Sequence, residues 1–290
     1  MKVTGFSFIR NAIIYDYPAV EAIKSVLPIC DEFVVAVGNS TDDTLALIQN
    51  IDPKKIRIVE TVWDDSLREG GRVLAVETDK AFKAIAADSD WAIYIQGDEV
   101  IHEKYLPTIK QAMEKHANDA NVDGLLLNYL HFYGSYDYVG AASRWYRREI
   151  RVVKNNPKIY SYRDAQGFRK GNNEKLNVKL IDAYVYHYGW VKEPAAMQLK
   201  QENFNKLWHD DQWMEKNVAK AAAFDYSQVD ALARFEGTHP EVMKARIQQK
   251  NWHFDHDLSY NNYKFKDKVR FLIEKITGHR IGEYKNYVMV

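Results

Sequence analysis

Along the first hundred residues, short runs of β-branched and aromatic residues alternate with stretches whose apolar positions recur every three or four residues. The runs near Val3–Ile9, Phe33–Val37, Ile56–Glu60 and Trp91–Gln96 predict strands. Between them, Ala19–Val26, Thr41–Ile51 and Arg72–Ala87 gather apolar side chains on one helical face, as a helix covering a sheet must. This alternation predicts a parallel sheet joined by right-handed crossovers, and the fold class is α/β.

From Asp123 to Trp190 the pattern changes to strands and turns crowded with Tyr, Trp, Phe and Arg, and Glu193–Lys250 reads as mainly helical. The expected organisation is one main domain over 1–190, with halves at about 1–100 and 101–190, and a mainly helical C-terminal extension over 191–290. Near the end, Phe265, Val269, Leu272, Ile273 and Ile276 share one helical face amid lysines and arginines. Such a face either docks on the core or lies on a membrane surface, a peripheral membrane contact through the C-terminal helix.

Lys+Arg and Asp+Glu each total 40, so no global field favours a polyanion, and no nucleic-acid partner is expected. The single cysteine, Cys30, excludes an internal disulfide and is expected as buried packing. The apolar run Val3–Ile9 is too short for a signal peptide or a membrane span, which sets the expectation of a soluble, cytoplasmic protein.

At Ser40-Thr41-Asp42-Asp43 a hydroxyl precedes the second helix and an acid follows three residues on, so Ser40 is expected to cap it and Asp43 to favour its positive end. Open α/β sheets bind ligands beyond the carboxyl ends of their strands, and Gly38–Ser40 and Gln96–Glu99 fall there. Arg10 and Asn11 end the first strand and share that edge.

Arg10-Asn11, then Asp31-Glu32-Phe33-Val34-Val35 with Gly38-Asn39-Ser40-Thr41-Asp42-Asp43-Thr44, then Gln96-Gly97-Asp98-Glu99, resemble in order and spacing the successive motifs of family 2 glycosyltransferases. The resemblance covers the first hundred residues and weakens towards Trp190. It implies a GT-A fold, a mixed sheet flanked by helices, that moves a sugar from a nucleoside-diphosphate donor to a glycan or lipid-linked acceptor with inversion. It also implies a donor half before about residue 100 and an acceptor half after it.

In that family the Ser-Thr-Asp loop lines the nucleotide pocket, which carries over to Gly38, Asn39, Ser40 and Asp42, with Arg10 and Asn11 beside them. The acidic motif carries over to Gln96, Gly97 and Asp98. Asp98 matches its second acid and is the expected ligand of a divalent cation, Mn²⁺ or Mg²⁺, with Glu99 able to ligate, orient a neighbour or cap a helix. Arg72, in Glu69-Gly70-Gly71-Arg72, resembles a cation that faces the donor. His187, in Tyr186-His187-Tyr188-Gly189-Trp190, resembles a third metal ligand. The catalytic base matches Asp164, with Asp137 as the alternative.

Two positions depart from the family pattern. Gln96 stands where the first aspartate is usual, and a neutral amide is a poorer ligand for a hard cation, so weak metal binding is expected. Val37-Gly38 replaces an aspartate that contacts the base in many members, which keeps open a degenerate protein that binds sugar nucleotide or glycan without turnover. The aromatics Tyr133, Tyr136, Tyr138, Trp145, Tyr162 and Trp190 serve either as core or as stacking faces for an acceptor sugar. His253-Phe254-Asp255-His256-Asp257 supports a rival reading as a metal hydrolase, although no second cluster completes it.

Overall fold

The computed structural model describes residues 1–67, 69–218, 221–229, 231–260, 265–277, 280 and 282–290; within 265–277 only the side chains at 268, 269, 272–274, 276 and 277 are described. The first half runs β1 (Val3–Ile9), α1 (Ala19–Val26), β2 (Glu32–Gly38), α2 (Thr44–Gln49), β3 (Ile56–Thr61), α3 (Arg72–Lys83), β4 (Trp91–Tyr94), β5 (Glu99–Ile101) and α4 (Leu106–His116). Six strands follow: β6 (Gly124–Tyr133), β7 (Ser135–Gly140), β8 (Arg148–Lys154), β9 (Ile159–Tyr162), β10 (Gly167–Lys170) and β11 (Glu174–Trp190). The remainder contains α5 (Pro194–Lys206), α6 (Asp211–Asn217), β12 (Leu232–Arg234), α7 (Lys244–Gln248), α8 (Phe265–Thr277) and β13 (Tyr287–Met289).

One mixed sheet joins them in the order β3-β2-β1-β4-β8-β6-β11-β10-β9. β1, β2, β3 and β4 are parallel, β8 runs antiparallel between β4 and β6, and β11 is parallel to β6. The fold class is therefore α/β with a mixed sheet flanked by helices. Alternation along the strands fills two cores: Phe33, Val35 and Val37 face Ile23, Ile48 and Ile109 of α1, α2 and α4, while Val34 and Ala36 face Val73 and Phe82 of α3. Cys30 is buried in the first of these cores, and burial pushes its thiol up to about 12.

The second helix begins later than its sequence suggests. Asp43 precedes it without a side-chain cap, and Asp42 instead accepts from the Thr44 amide at 3.0 Å. Ser40 does not cap α2, because its Oγ accepts from the Asn11 amide at 3.0 Å, tying the β2 edge to the loop after β1. Beyond Trp190, the chain is not only helical: β12 pairs with β7 and β13 with β11. On α8, Val269, Leu272 and Ile276 are exposed and Ile273 is half-buried; the side chain of Phe265 lies outside the described residues. Among the described residues no helix is long and apolar enough to cross a membrane.

Candidate functional site

A cavity of about 440 Å³ opens where β1 and β4 end, and Arg10, Asn11, Gln96, Gly97, Asp98, Asp164 and His187 all line it. Its far wall is α5, through Lys200, Gln201, Asn203 and Phe204. Gly38, Asn39, Ser40, Asp42, Arg72, Glu99 and Asp137 do not line it.

Several of those outer residues build the rim. Asn11 holds φ at 53° and its side chain accepts from the Thr41 amide at 2.8 Å. Asp42 Oδ2 accepts from the Ile13 and Ile14 amides at 3.1 and 2.9 Å, so the Ser-Thr-Asp stretch pins the loop after β1. Asn39 Oδ1 accepts from the Trp63 amide at 3.1 Å. A Cβ on Gly38 would lie 2.4 Å from Trp63 Nε1, so the glycine makes room for an indole that walls the cavity. The Arg10 guanidinium lies 5.2 Å from that ring and pairs with Asp65 at 2.8 Å.

Adjacent acids of the Gln96–Glu99 loop point to different surroundings. Glu99 is fully buried, takes two bonds from Arg151 at 2.8 Å each, and accepts from Tyr129 Oη at 2.7 Å. With both oxygens engaged and no place on the cavity lining, it orients Arg151 and is not disposed as a metal ligand. Gln96 directs its amide nitrogen to Tyr94 Oη at 3.2 Å and to the Ala165 carbonyl at 3.4 Å. Asp98 faces the cavity, where Lys200 Nζ lies 3.0 Å and His187 Nε2 3.7 Å from its Oδ2. Burial alone would raise the Asp98 pKa, but the Lys200 ammonium holds it well below the usual carboxylate range.

The hydrogen-bond network fixes the His187 tautomer. His131 Nε2 lies 2.8 Å from the Tyr146 carbonyl, which only accepts, so that nitrogen carries the proton. Burial, then the neighbouring His187, pushes the His131 pKa down to about 3, which leaves its Nδ1 as an acceptor. His187 Nδ1, 3.2 Å away, must therefore donate. Burial also lowers the His187 pKa, so His187 Nε2 presents a lone pair towards Asp98.

Asp98 and His187 thus form a two-donor corner that fits one edge of a cation's coordination shell. A Cβ on Gly189 would lie 2.7 Å from Asp98 Oδ2 and from His187 Nε2, so the glycine keeps the corner open. Among the described residues no group of three or more His, Cys, Asp and Glu is placed to hold a metal ion. That statement covers His253–Asp257 as well, where Asp255 accepts from Tyr138 Oη and Phe254 packs against Tyr133 and Tyr138.

Asp164 sits in the turn between β9 and β10, flanked by Arg163 and Ala165 at φ 56° and 63°. Non-glycine residues seldom hold such angles, and backbone strain of this kind concentrates at functional sites. Burial raises the Asp164 pKa. Gly71, at φ 67°, lets the loop before α3 approach; its Cβ would lie 3.0 Å from Asp164 Cβ and 2.9 Å from the Trp208 ring. Arg72 opens α3 and is exposed, and Asp137 is exposed on β7, bonded to Ser135 Oγ at 3.0 Å.

Lys200, Tyr17, Tyr146, Arg151 and Gln166 also line the cavity and were not singled out from the sequence. Lys200 had one signal, a lysine within the stripe Met197, Lys200, Phe204 and Leu207 at helical spacing. A second cavity of about 390 Å³ shares Tyr146, His187, Trp190 and Gln201 with the first and adds Tyr133, Trp145 and Phe224.

No family model and no curated protein matches the chain. Among solved structures, it is similar to TarS of S. aureus at 14% identity, covering 70% of this chain and 39% of that one, with a TM-score of 0.38. Residues 1–349 of TarS in complex with UDP-GlcNAc match at 14% identity over 77% of this chain and 68% of that one, with a TM-score of 0.42. Glucosyl-3-phosphoglycerate synthase from Mycobacterium tuberculosis, in complex with Mn²⁺, UDP and glucosyl-3-phosphoglycerate, matches at 18% identity over 46% and 45%, with a TM-score of 0.31. Likeness at this level assigns no activity.

Proposed function

We propose that this chain is an inverting, nucleotide-sugar-dependent glycosyltransferase of the GT-A type and of family 2. The observation that carries the reading is convergence: Arg10, Asn11, Gln96, Asp98, Asp164 and His187, far apart in sequence, line one cavity at the carboxyl edge of the sheet. The donor lies there, with its nucleotide towards Arg10 and Asn11 and its diphosphate over Asp98 and His187. Where a divalent cation binds, those two residues would hold it, and it would polarise phosphate oxygens and stabilise charge on the leaving group. Arg72, Gly38, Asn39, Ser40 and Asp42 support the nucleotide end from outside the lining. The 1–190 domain carries both substrates and 191–290 supplies the α5 wall.

Transfer proceeds by direct displacement. An acceptor hydroxyl oxygen bonds to the anomeric carbon as the carbon–phosphate-oxygen bond breaks, the nucleoside diphosphate departs with that electron pair, and the hydroxyl proton passes to the Asp164 carboxylate. Burial raises its pKa, which makes the carboxylate a stronger base. The acceptor, a glycan or a lipid-linked sugar, enters through the second cavity, where Trp145, Trp190 and Tyr133 offer ring faces. A cytoplasmic location and contact with the inner face of a membrane through α8 belong to the same proposal; exposure of Leu272 and Ile276 supports the contact only.

Release of nucleoside diphosphate from a panel of UDP-, GDP- and other sugar nucleotides, with glycan and lipid-linked acceptors, tests the activity. Turnover that disappears in Asp98→Ala is the expected result. Gln96, a neutral amide whose nitrogen bonds Tyr94 and Ala165 where the family has an aspartate, favours a second reading, a sugar-nucleotide or glycan-binding protein without turnover. Binding with no release across the whole panel selects it.

A further inference from the structure

We infer that Lys200 supplies the positive charge for the donor diphosphate, so that nucleotide binding by this chain does not depend on a metal ion. The inference rests on the donor site proposed above and goes beyond it. Lys200 is buried on α5, and its ammonium lies on the cavity lining, 3.0 Å from Asp98 Oδ2 and 2.8 Å from the Gly189 carbonyl. An ammonium has three protons, and two are spent on these acceptors. Besides the Tyr17 ring, whose centre lies 5.1 Å away, the third has no oxygen or nitrogen acceptor among the described residues and is available to a ligand.

Charge around the corner points the same way. The Asp98 carboxylate is already neutralised by Lys200, and the Glu99 carboxylate by Arg151. Lys192, fully buried, sets its amine 4.7 Å from the Tyr17 ring, whose centre lies 5.1 Å from Lys200 Nζ; burial and then Lys200 pull its pKa down to about 7, so it adds only part of a second positive charge at neutral pH. A divalent cation entering between Asp98 and His187 meets an ammonium on the same carboxylate oxygen and must displace it. A diphosphate meets the same ammonium as an attraction, and low-dielectric surroundings strengthen both effects. Gln96 bonds Tyr94 and Ala165 through its amide nitrogen, so the protein offers a cation one carboxylate, one imidazole and at most a neutral amide oxygen. Lysine is therefore the cation already built into the corner, and Asp98 is the residue that holds it in place.

Calorimetric titration of UDP, GDP, CDP and ADP, in EDTA and in Mn²⁺, tests this on wild type, Lys200→Met, Lys200→Arg and the charge-balanced double variant Lys200→Met/Asp98→Asn. The expected wild-type affinity for one nucleotide is within about threefold in EDTA and Mn²⁺. Lys200→Met should weaken it about 10- to 100-fold in EDTA, as for loss of a charge-assisted bond. Mn²⁺ should then recover much of it, because Asp98 is freed, and a purely structural role of Lys200 gives no such rescue. Lys200→Arg should retain binding in EDTA, and the double variant should stay weak in both conditions. Wild-type binding that vanishes on chelation overturns the inference while leaving the donor site standing. No binding of any nucleotide in either condition removes the donor site, and the inference with it.

Discussion

Arg151 meets Glu99 through two parallel N–H···O bonds of 2.8 Å each, and both side chains are shielded from water. The pair separates two consecutive acids into different duties: Glu99 holds the frame between β5 and β8, and Asp98 faces the cavity. Truncating one partner of a buried pair leaves a charge without compensation, at a cost of about 3–5 kcal/mol. Glu99→Gln is expected to lower the urea midpoint accordingly. A loss below about 1 kcal/mol would contradict the structural role, because exposed pairs contribute only that much.

Gly189→Ala tests whether the Asp98–His187 corner is the ligand site. The added methyl would lie 2.7 Å from both side chains and fill the opening between them. The variant is expected to fold, with unchanged far-ultraviolet circular dichroism, and to lose at least about tenfold in nucleotide affinity, equivalent to about 1.4 kcal/mol. Unchanged affinity in the folded variant places the diphosphate elsewhere.

Asp164→Asn separates chemistry from donor binding. The variant is expected to bind nucleotide as wild type does and to lose about 10²–10⁴ in turnover, the usual contribution of a positioned base. Because burial raises the Asp164 pKa, wild-type turnover should fall with acidification at a pH above the ordinary aspartate value of about 3.9. Full turnover in Asp164→Asn transfers the role to another carboxylate, and Asp137, exposed on β7 and off the cavity lining, is then the next to replace.

Glu149 gives a stability prediction with a defined sign. Burial, only partly offset by Arg151, pushes its carboxyl up to about 8, whereas the unfolded value is 4.5. Gln166 donates to Oε1 at 3.1 Å, and Oε2 has no partner among the described residues. Between these two pKa values the unfolded chain ionises and the folded chain keeps its proton, so stability present below pH 4.5 is lost as pH rises through 8. Glu149→Gln should match wild type at the acid end and exceed it at the alkaline end by a few kcal/mol, about 1.4 for each pH unit separating the folded and unfolded values. Parallel pH slopes for the two proteins in urea unfolding sink this account.

The strands and helices of the first hundred residues were legible because their pattern is local. β1 and α1 coincide with their expected spans, since a strand buried on both faces reads as a short continuous apolar run and the helix covering it repeats every three to four residues. The role of Ser40 was not legible: it bonds across to Asn11, 29 positions away, and local capping chemistry cannot reveal such a partner. Strands β12 and β13 are three residues each, too short for periodicity, and exist through pairing with β7 and β11. Lys200 reads in sequence as a solvated helix charge, and only its approach to Asp98, 102 positions earlier, makes it part of the site.

Hydrogen–deuterium exchange of the protein with and without the nucleoside diphosphate that binds best tests most directly where the donor sits. The account predicts slowed exchange in the loop after β1 at 10–17, in 96–99 and along α5, with the α8 helix unchanged. Slowed exchange confined to other segments, or none at saturating nucleotide, contradicts a donor site at the carboxyl edge of this sheet.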